Sequence, residues 1–168
     1  MVGSGSFGEV FIAKLTCNNT SEDTSHYPQL AAVKVEKDTT NTAQLTNEMT
    51  VLGEVHKKNP GLTGFPRVYA SGVEVGCTFM VMDLLGPNLQ DLMTLCGGKF
   101  TLPTALRIAL DICRLLEILH DAGFVYRDIK PENFVMGTGR RSDTVYMVDF
   151  GLARRFRDQV TQLILPYK

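Results

Sequence analysis

The segment from Thr101 to Ala122 constrains the fold of this chain more than any other part of its sequence. Its polar residues recur at spacings of three and four, and nearly everything between them is Leu, Ile, Ala or Cys. This pattern predicts a long α-helix with one narrow polar stripe, buried on most of its sides. Thr101 is expected to cap the helix, Pro103 to lie in its first turn and Gly123 to end it. The polar stripe comprises Thr104, Arg107, Asp111, Arg114, Glu117 and Asp121.

The part of the chain before this helix is predicted to be rich in strands. Apolar runs with β-branched residues are expected to form strands. They lie at 10–15, 31–36, 68–70 and 79–82. The polar stretch 16–28 predicts a loop, the apolar spacing in 42–56 predicts a helix, and Asn-Pro-Gly at 59–61 predicts a turn. We therefore expect a mostly antiparallel sheet followed by a helical part, with the boundary near residues 83–86.

Composition excludes several classes of protein. The chain has 168 residues, of which 44% are hydrophobic and 21% charged, which is ordinary for a globular domain. Its 17 basic and 18 acidic side chains nearly balance, which argues against a dedicated nucleic-acid-binding protein.

Cysteine usage and hydropathy give further expectations. The four cysteines and three histidines show no zinc-site spacing, so the cysteines are expected to be reduced thiols. No signal peptide is evident, and the apolar stretch 79–85 is interrupted by Asp83 and too short to span a membrane. A soluble intracellular protein is therefore expected.

Glycines at positions 3, 5 and 8, followed by Val10, match the pattern G-x-G-x-x-G-x-V. The pattern alone is a weak signal. In a dinucleotide-binding oxidoreductase a helix would begin after the third glycine, whereas residues 10–15 predict a strand. The glycines are therefore expected at the tip of a hairpin, where main-chain N–H groups can approach phosphate oxygens.

Lys34 interrupts an apolar strand, and Glu48 lies on or beside the apolar face of the predicted helix at 42–56. Lys34 alone could simply point outward to solvent. A carboxylate on an apolar face is costly unless it is paired, however. An ion pair between Lys34 and Glu48 accounts for both positions, and it would hold the ammonium group against phosphates.

The segment 126–133, Tyr-Arg-Asp-Ile-Lys-Pro-Glu-Asn, and the later Asp149-Phe150-Gly151 carry the strongest signal. Asp128 and Asn133 have the Asp-x-x-x-x-Asn spacing of a catalytic loop. Asp149 follows the strand-like residues 145–148, so its carboxylate is expected at a strand end. Asn133 and Asp149 supply the hard oxygen ligands that Mg²⁺ prefers.

Taken together, these residues resemble a eukaryotic protein kinase, and more narrowly the casein kinase I group. The narrower resemblance is carried by 84–92 (Leu-Leu-Gly-Pro-Asn-Leu-Gln-Asp-Leu), by 130–137 (Lys-Pro-Glu-Asn-Phe-Val-Met-Gly) and by Tyr-Pro-Gln-Leu at 27–30. The related tau-tubulin kinases share Asp-Phe-Gly-Leu-Ala-Arg at 149–154 and remain an alternative. The resemblance implies an α+β, bilobal fold. Residues 1–82 would form a small lobe lacking most of its first strand, 83–86 a hinge, and 87–168 a partial large lobe ending in the activation segment.

The resemblance also implies roles for individual residues. Asp128 would be the general base, with Lys130 and Asn133 as further catalytic residues, and Asn133 and Asp149 would bind Mg²⁺. Met82 would be the gatekeeper, Asp91 a ribose contact, and Ala32 and Val135 the residues on either side of the adenine. The full ATP-binding set is Val2, Gly3, Ser4, Gly5, Ser6, Phe7, Gly8, Val10, Ala32, Lys34, Glu48, Met82, Asp83, Leu85, Asp91 and Val135.

The function that follows is transfer of the ATP γ-phosphoryl group to Ser or Thr hydroxyls of proteins, with ATP and Mg²⁺ as cofactors. The resemblance implies acidic or pre-phosphorylated protein substrates, no nucleic-acid or membrane partner, and a location in the cytoplasm and also in the nucleus. Tyr126 departs from the family, which usually has His there, and is expected to pack beneath the catalytic loop.

The resemblance begins inside the glycine loop and stops at Leu-Pro-Tyr-Lys, 165–168, so a domain truncated at both ends is expected. The peptide-binding platform would then lie outside the chain. The alternative function is a non-catalytic fragment or pseudokinase that binds nucleotide or a partner.

Overall fold

The computed structural model describes residues 3–5, 8–15, 28–37, 44–158, 160–161 and 163–166. Its first part is a five-stranded antiparallel sheet in the order β1-β2-β3-β5-β4. The strands are β1 Gly3–Gly5, β2 Gly8–Lys14, β3 Leu30–Lys37, β4 Val68–Glu74 and β5 Cys77–Asp83. The predicted antiparallel sheet is therefore confirmed. The predicted loop 16–28 lies almost entirely outside the described residues.

Helix α1, Gln44–Lys58, packs against this sheet. It buries one face, made of Leu45, Glu48, Val51, Leu52 and Val55. The start of the helix is tied to β3, because Glu36 Oε2 accepts a hydrogen bond from the Leu45 amide at 2.9 Å. The helix predicted at 42–56 is confirmed, although it extends to Lys58 and residues 42–43 are outside the described part.

The second part of the chain consists of helices and short strand pairs. Helix α2 is Leu89–Leu95 and helix α3 is Leu102–Asp121. Strand β6 (Phe124–Val125) pairs with β9 (Arg154–Arg155), and β7 (Phe134–Met136) pairs with β8 (Val145–Met147). The ends of α3 follow the prediction, since Thr101 Oγ1 accepts from the Thr104 amide and Gly123 has φ +90°. The described helices include none long and apolar enough to cross a membrane.

A tight approach at Gly64 joins the two parts. The Met147 amide of β8 donates to the Gly64 carbonyl at 2.9 Å. Gly64 has φ +92°, and a Cβ placed there would lie 2.4 Å from Leu115 Cδ2 on α3. Glycine is therefore required both by the left-handed backbone and by the packing. Through this contact the loop before β4 holds β8, and with it the residues that follow β8.

The prediction that α3 is buried on most of its sides is wrong for this structure. The buried residues of α3 are Leu115 and Leu119, near its C-terminal end. Leu102, Leu106 and Leu110, one above the other at spacings of four, are 71%, 56% and 58% exposed. The main packing partners of α3 are β6 and β8. No described element covers the apolar face of the first half.

We predict that this uncovered apolar face makes the chain associate in solution, because contiguous exposed apolar surface favours self-association. Replacing Leu106 and Leu110 together by Gln should reduce both binding of a hydrophobic dye and the apparent mass in light scattering. Melting should change little, because both side chains are more than half exposed. Glu117→Gln, on the same helix, is the control and should alter neither measurement. Unchanged association of the double variant would contradict the prediction.

Candidate active site

Lys34 on β3 reaches across to α1. It lies in register between Val10 of β2 and Met80 of β5, and its Nζ donates to Glu48 Oε2 at 2.6 Å. The Lys34 side chain is 14% exposed and that of Glu48 is 2% exposed. The alternative of an outward-pointing lysine is therefore wrong, and the predicted pair between Lys34 and Glu48 is confirmed.

The charges of this pair depend on each other. Burial raises the pKa of Glu48, while the ammonium group of Lys34 opposes that rise. Burial alone would lower the pKa of Lys34, but Glu48 and Asp149 outweigh it, so the pKa of Lys34 is raised. Lys34 is therefore a cation at neutral pH, held between two carboxylates.

Asp149 is the second carboxylate at Lys34, with its Oδ1 3.3 Å from Lys34 Nζ. It follows β8, as predicted, and adopts φ +61°, a left-handed conformation that is unusual for a non-glycine residue. Phe150, the next residue, is fully buried and stacks on Phe65 at a centroid distance of 5.8 Å. The buried phenyl ring therefore anchors the main chain on which the Asp149 carboxylate is presented.

Tyr126 lies beneath the same segment, as the sequence predicted. It is 1% exposed, its hydroxyl donates to the Val148 carbonyl, and its ring meets Phe150 edge-on at 5.7 Å. Burial, and then the nearby charge of Asp149, raise the pKa of the Tyr126 hydroxyl. The phenol is therefore a permanent neutral donor that fixes the main chain just before Asp149.

A second polar cluster surrounds Asp128. Lys130 Nζ lies 2.8 Å from Asp128 Oδ2, and Asn133 Nδ2 donates to the same oxygen at 2.7 Å and to the Asp128 carbonyl at 3.0 Å. Burial would raise the pKa of Asp128, but the hydrogen bonds from Lys130 and Asn133 outweigh it and lower that pKa. Asp128 is thus an ionised carboxylate at neutral pH.

The main chain brings the two clusters together. The Val148 amide donates to the Asn133 carbonyl at 3.0 Å, and Phe134 on β7 pairs with Met147 on β8. Asn133 and Asp149 therefore sit at neighbouring ends of one short strand pair. The spacing of Asn133 and Asp149 in the sequence does not by itself place them together. The pairing of β7 with β8 brings them to neighbouring positions.

Asn133 and Asp149 fit a hard cation. Since Asn133 Nδ2 is turned toward Asp128, the amide oxygen is the atom left to act as a ligand. Asp149 adds a carboxylate, of which Oδ1 already faces Lys34. The described residues contain no group of three or more His, Cys, Asp or Glu that could hold a metal. Two oxygen donors suit Mg²⁺, which usually binds one or two protein groups together with phosphates and water.

The glycine pattern lies at a hairpin, as predicted. β1 and β2 pair with Gly5 opposite Gly8 and Gly3 opposite Val10, and Ser4 pairs with Glu9. Of the predicted ATP-binding residues, Val2, Ser6 and Phe7 fall outside the described part. The Val10 position is opposite Lys34 in the sheet, so the hairpin begins directly beside the ion pair.

The predicted hinge, 83–86, begins at Asp83, the last residue of β5. Ala32 on β3 is 5% exposed and pairs with Met82 on β5. The Asp83 side chain accepts hydrogen bonds from the Tyr69 hydroxyl and the Arg67 amide, so it is committed to the β4 side rather than to a ligand. Leu85 follows, and is half-buried.

The remaining predicted residues lie beyond the hinge. Asp91 is exposed in the first turn of α2, where its amide donates to Asn88 Oδ1 at 2.7 Å. Val135 on β7 forms a bridge with Asn88. Asp91 and Val135 therefore both contact Asn88, which places them near each other. Among the described residues, no hydrogen bond or ion pair joins either of them to Lys34 or Asp128.

Two polar residues were not singled out in the sequence. Asn47 on α1 donates through Nδ2 to the carbonyls of Phe150, Gly151 and Ala153. Arg127, at φ +69°, donates through Nε to the Leu152 carbonyl at 2.8 Å. Asn47 directly precedes Glu48, and Arg127 directly precedes Asp128. These positions next to predicted site residues gave no sign that both side chains bind the segment after Asp149.

We predict that Lys34→Met destabilises the chain in a pH-dependent way, because it leaves Glu48 buried without its cation. Breaking a buried pair in this manner costs about 3–5 kcal/mol when the remaining group stays charged. In the variant the folded-state pKa of Glu48 is raised above its unfolded value. Stability is therefore kept at low pH and lost as pH rises through the folded-state pKa.

The measurement is the free energy of unfolding by denaturant between pH 5 and 8, a range in which proteins are ordinarily most stable. The double variant Lys34→Met/Glu48→Gln removes the buried charge and should recover most of the stability at the upper end of that range. A pH-independent loss, or no recovery in the double variant, would contradict the assignment of a charged buried pair.

A comparison of the sequence with models of protein families agrees with the fold, the two polar clusters and the glycine hairpin. The family model described as "Protein kinase domain" matches residues 1–165. The sheet with α1, followed by the helices, corresponds to the small lobe and the start of the large lobe of the bilobal kinase fold, a mixed α+β architecture. The chain therefore belongs to the protein kinase family.

Proposed function

We propose that this site serves an ATP-dependent serine/threonine protein kinase of the casein kinase I or tau-tubulin kinase group. The observation that carries the proposal is Lys34, held between Glu48 at 2.6 Å and Asp149 at 3.3 Å. In phosphoryl transfer the protein mainly positions groups and neutralises charge. A lysine fixed between two carboxylates, beside a glycine hairpin, is suited to both tasks.

Binding of the phosphates is assigned to the first part of the chain. Main-chain N–H groups of the glycine hairpin and the ammonium group of Lys34 would face the phosphate oxygens. Glu48 keeps Lys34 oriented, and Asp149 and Asn133 would hold Mg²⁺. When bound, the ion supplies charge neutralisation on the phosphate oxygens.

Asp128 is assigned the role of general base. Because its pKa is lowered by the hydrogen bonds from Lys130 and Asn133, the carboxylate is ready to accept a hydrogen bond, and then the proton, from a substrate hydroxyl. Lys130, 2.8 Å away, stabilises the charge near the reacting groups. Its position two residues after Asp128 resembles serine/threonine kinases and supports Ser or Thr as the acceptor.

The narrower assignments rest on the segments that resemble casein kinase I, at 84–92 and 130–137. They support protein substrates of acidic or pre-phosphorylated sequence and a location in the cytoplasm or nucleus. The alternative function, a non-catalytic fragment or pseudokinase that binds nucleotide or a partner, is favoured by the uncovered apolar half of α3. Transfer to a protein acceptor separates the two functions, since the alternative predicts binding without transfer.

For Asp128→Asn we expect phosphoryl transfer to casein to fall about 10²- to 10⁴-fold, the usual contribution of a positioned base. Asparagine has nearly the same shape but cannot accept the proton, so ATP affinity should be nearly unchanged. Transfer rate and ATP affinity are measured separately, with the exposed Asp121→Asn as the control. A parallel loss of both quantities would instead assign Asp128 to ATP binding.

For Asp149→Asn we expect weaker Mg²⁺-dependent binding of ATP and unchanged binding of adenosine, which has no phosphates. The physical reason is that the amide carries no charge for the cation, while the adenine contacts lie elsewhere. Calorimetric titrations with and without Mg²⁺ measure this, and Asp143→Asn, exposed in the preceding loop, is the control. Equal losses for ATP and adenosine would show misfolding and contradict the metal assignment.

A further inference from the structure

The Asn47 side chain is surrounded by main-chain carbonyls in an unusual way. Its Nδ2 lies 3.0 Å from the Phe150 oxygen, 3.1 Å from the Gly151 oxygen and 2.9 Å from the Ala153 oxygen. An amide nitrogen carries two protons, which these carbonyls share. With the amide reversed, its oxygen would face other oxygens and no donor. The arrangement therefore requires the nitrogen, and thus a residue that donates.

The position of Asn47 closes a ring of interactions. Asn47 binds the residues that directly follow Asp149, and its neighbour Glu48 binds Lys34, which in turn contacts Asp149. The ring therefore joins α1, β3 and the segment 149–153 through hydrogen bonds that are all partly shielded from solvent. Any shift of α1 along its axis would move Asn47 and Glu48 together.

Asp149 requires such support. Its φ of +61° is sparsely populated for a non-glycine residue, and such a conformation persists only where the surroundings impose it. Tyr126 fixes the carbonyl of Val148, before Asp149, and Asn47 fixes the carbonyl of Phe150, after it. The main chain on both sides of the left-handed residue is thereby held.

A close contact at the start of α1 supports the same conclusion. A Cβ built on Gly151 would lie 3.1 Å from both Cβ and Oε1 of Gln44. The segment after Asp149 is therefore pressed against the first turn of α1, and it is there that Asn47 provides the polar contacts.

We propose that Asn47 is a positioning residue that holds Asp149 in its cation-binding conformation through the main chain that follows Asp149. The inference rests on the proposed function, because it assigns the cation to Asp149. Asn47 itself need not contact nucleotide or cation. Its effect is transmitted through the carbonyls of Phe150, Gly151 and Ala153.

The test compares Asn47→Ala, Asn47→Asp and Asn47→Gln in the full chain, with Thr50→Ala, an exposed change on the same helix, as the control. ADP binding is titrated with and without Mg²⁺, and adenosine binding serves as the cation-independent reference. Asn47→Ala should reduce the gain in ADP affinity that Mg²⁺ provides by roughly 10- to 100-fold, as when a supporting group of a metal ligand is removed. Asn47→Asp should lose more, and Asn47→Gln, which keeps the donor, should lose less.

A second readout requires no nucleotide. The Ala153 amide donates to the Phe150 carbonyl at 3.0 Å, and its hydrogen exchange should be faster in Asn47→Ala than in the wild type and the Thr50→Ala control. Exchange in α3 should be unchanged, which separates local release from general unfolding.

The outcomes distinguish the two proposals. If the wild-type chain binds ADP without any Mg²⁺ dependence, the proposed function is overturned. If the wild type shows that dependence and Asn47→Ala matches it in both titration and exchange, the role of Asn47 is overturned. Equal losses of adenosine and ADP affinity in Asn47→Ala would also overturn it, because a positioning role for Asp149 does not extend to adenine.

Discussion

The buried contact between Lys34 and Glu48 is the interaction on which the rest of the site depends. It joins the middle of the sheet to α1 across 14 positions of sequence, at 2.6 Å. Taking both charges out of water is costly, so each group requires the other. Lys34 then extends the connection to Asp149, 115 positions away, at 3.3 Å. One cation thus fixes the relative position of three elements distant in sequence, and the remaining polar contacts act within that arrangement.

Much of the architecture followed from patterns in the sequence. Apolar runs with β-branched residues predicted the strands, and the helical spacing of Leu45, Leu52 and Val55 predicted α1, because both signals are local in the sequence. The pair of Lys34 with Glu48 was also predictable, since a lysine in an apolar strand and a carboxylate on an apolar helix face each require explanation. A single physical rule, the cost of an unpaired buried charge, connected them.

Other features could not be predicted from periodicity. The apolar residues of α3 predicted that most sides of the helix are buried. A hydrophobic pattern shows which side chains would gain from burial, but it does not show whether another element covers them. In the structure Leu106 is 56% exposed. The role of Asn47 depends on three carbonyls contributed by a segment about 100 positions away. The left-handed backbone of Asp149 likewise depends on tertiary contacts on both sides of the residue, so the neighbouring sequence does not predict it.

The tyrosine at position 126 has a consequence for how the site responds to acidity. The protein kinases that this chain resembles usually have histidine at this position, and an imidazole changes its charge near neutral pH. The Tyr126 phenol, whose pKa is raised by burial and then by the charge of Asp149, keeps its proton throughout the physiological range. The residue beneath Asp149 therefore stays uncharged across this range, so a change of pH within it does not alter the charge under that carboxylate.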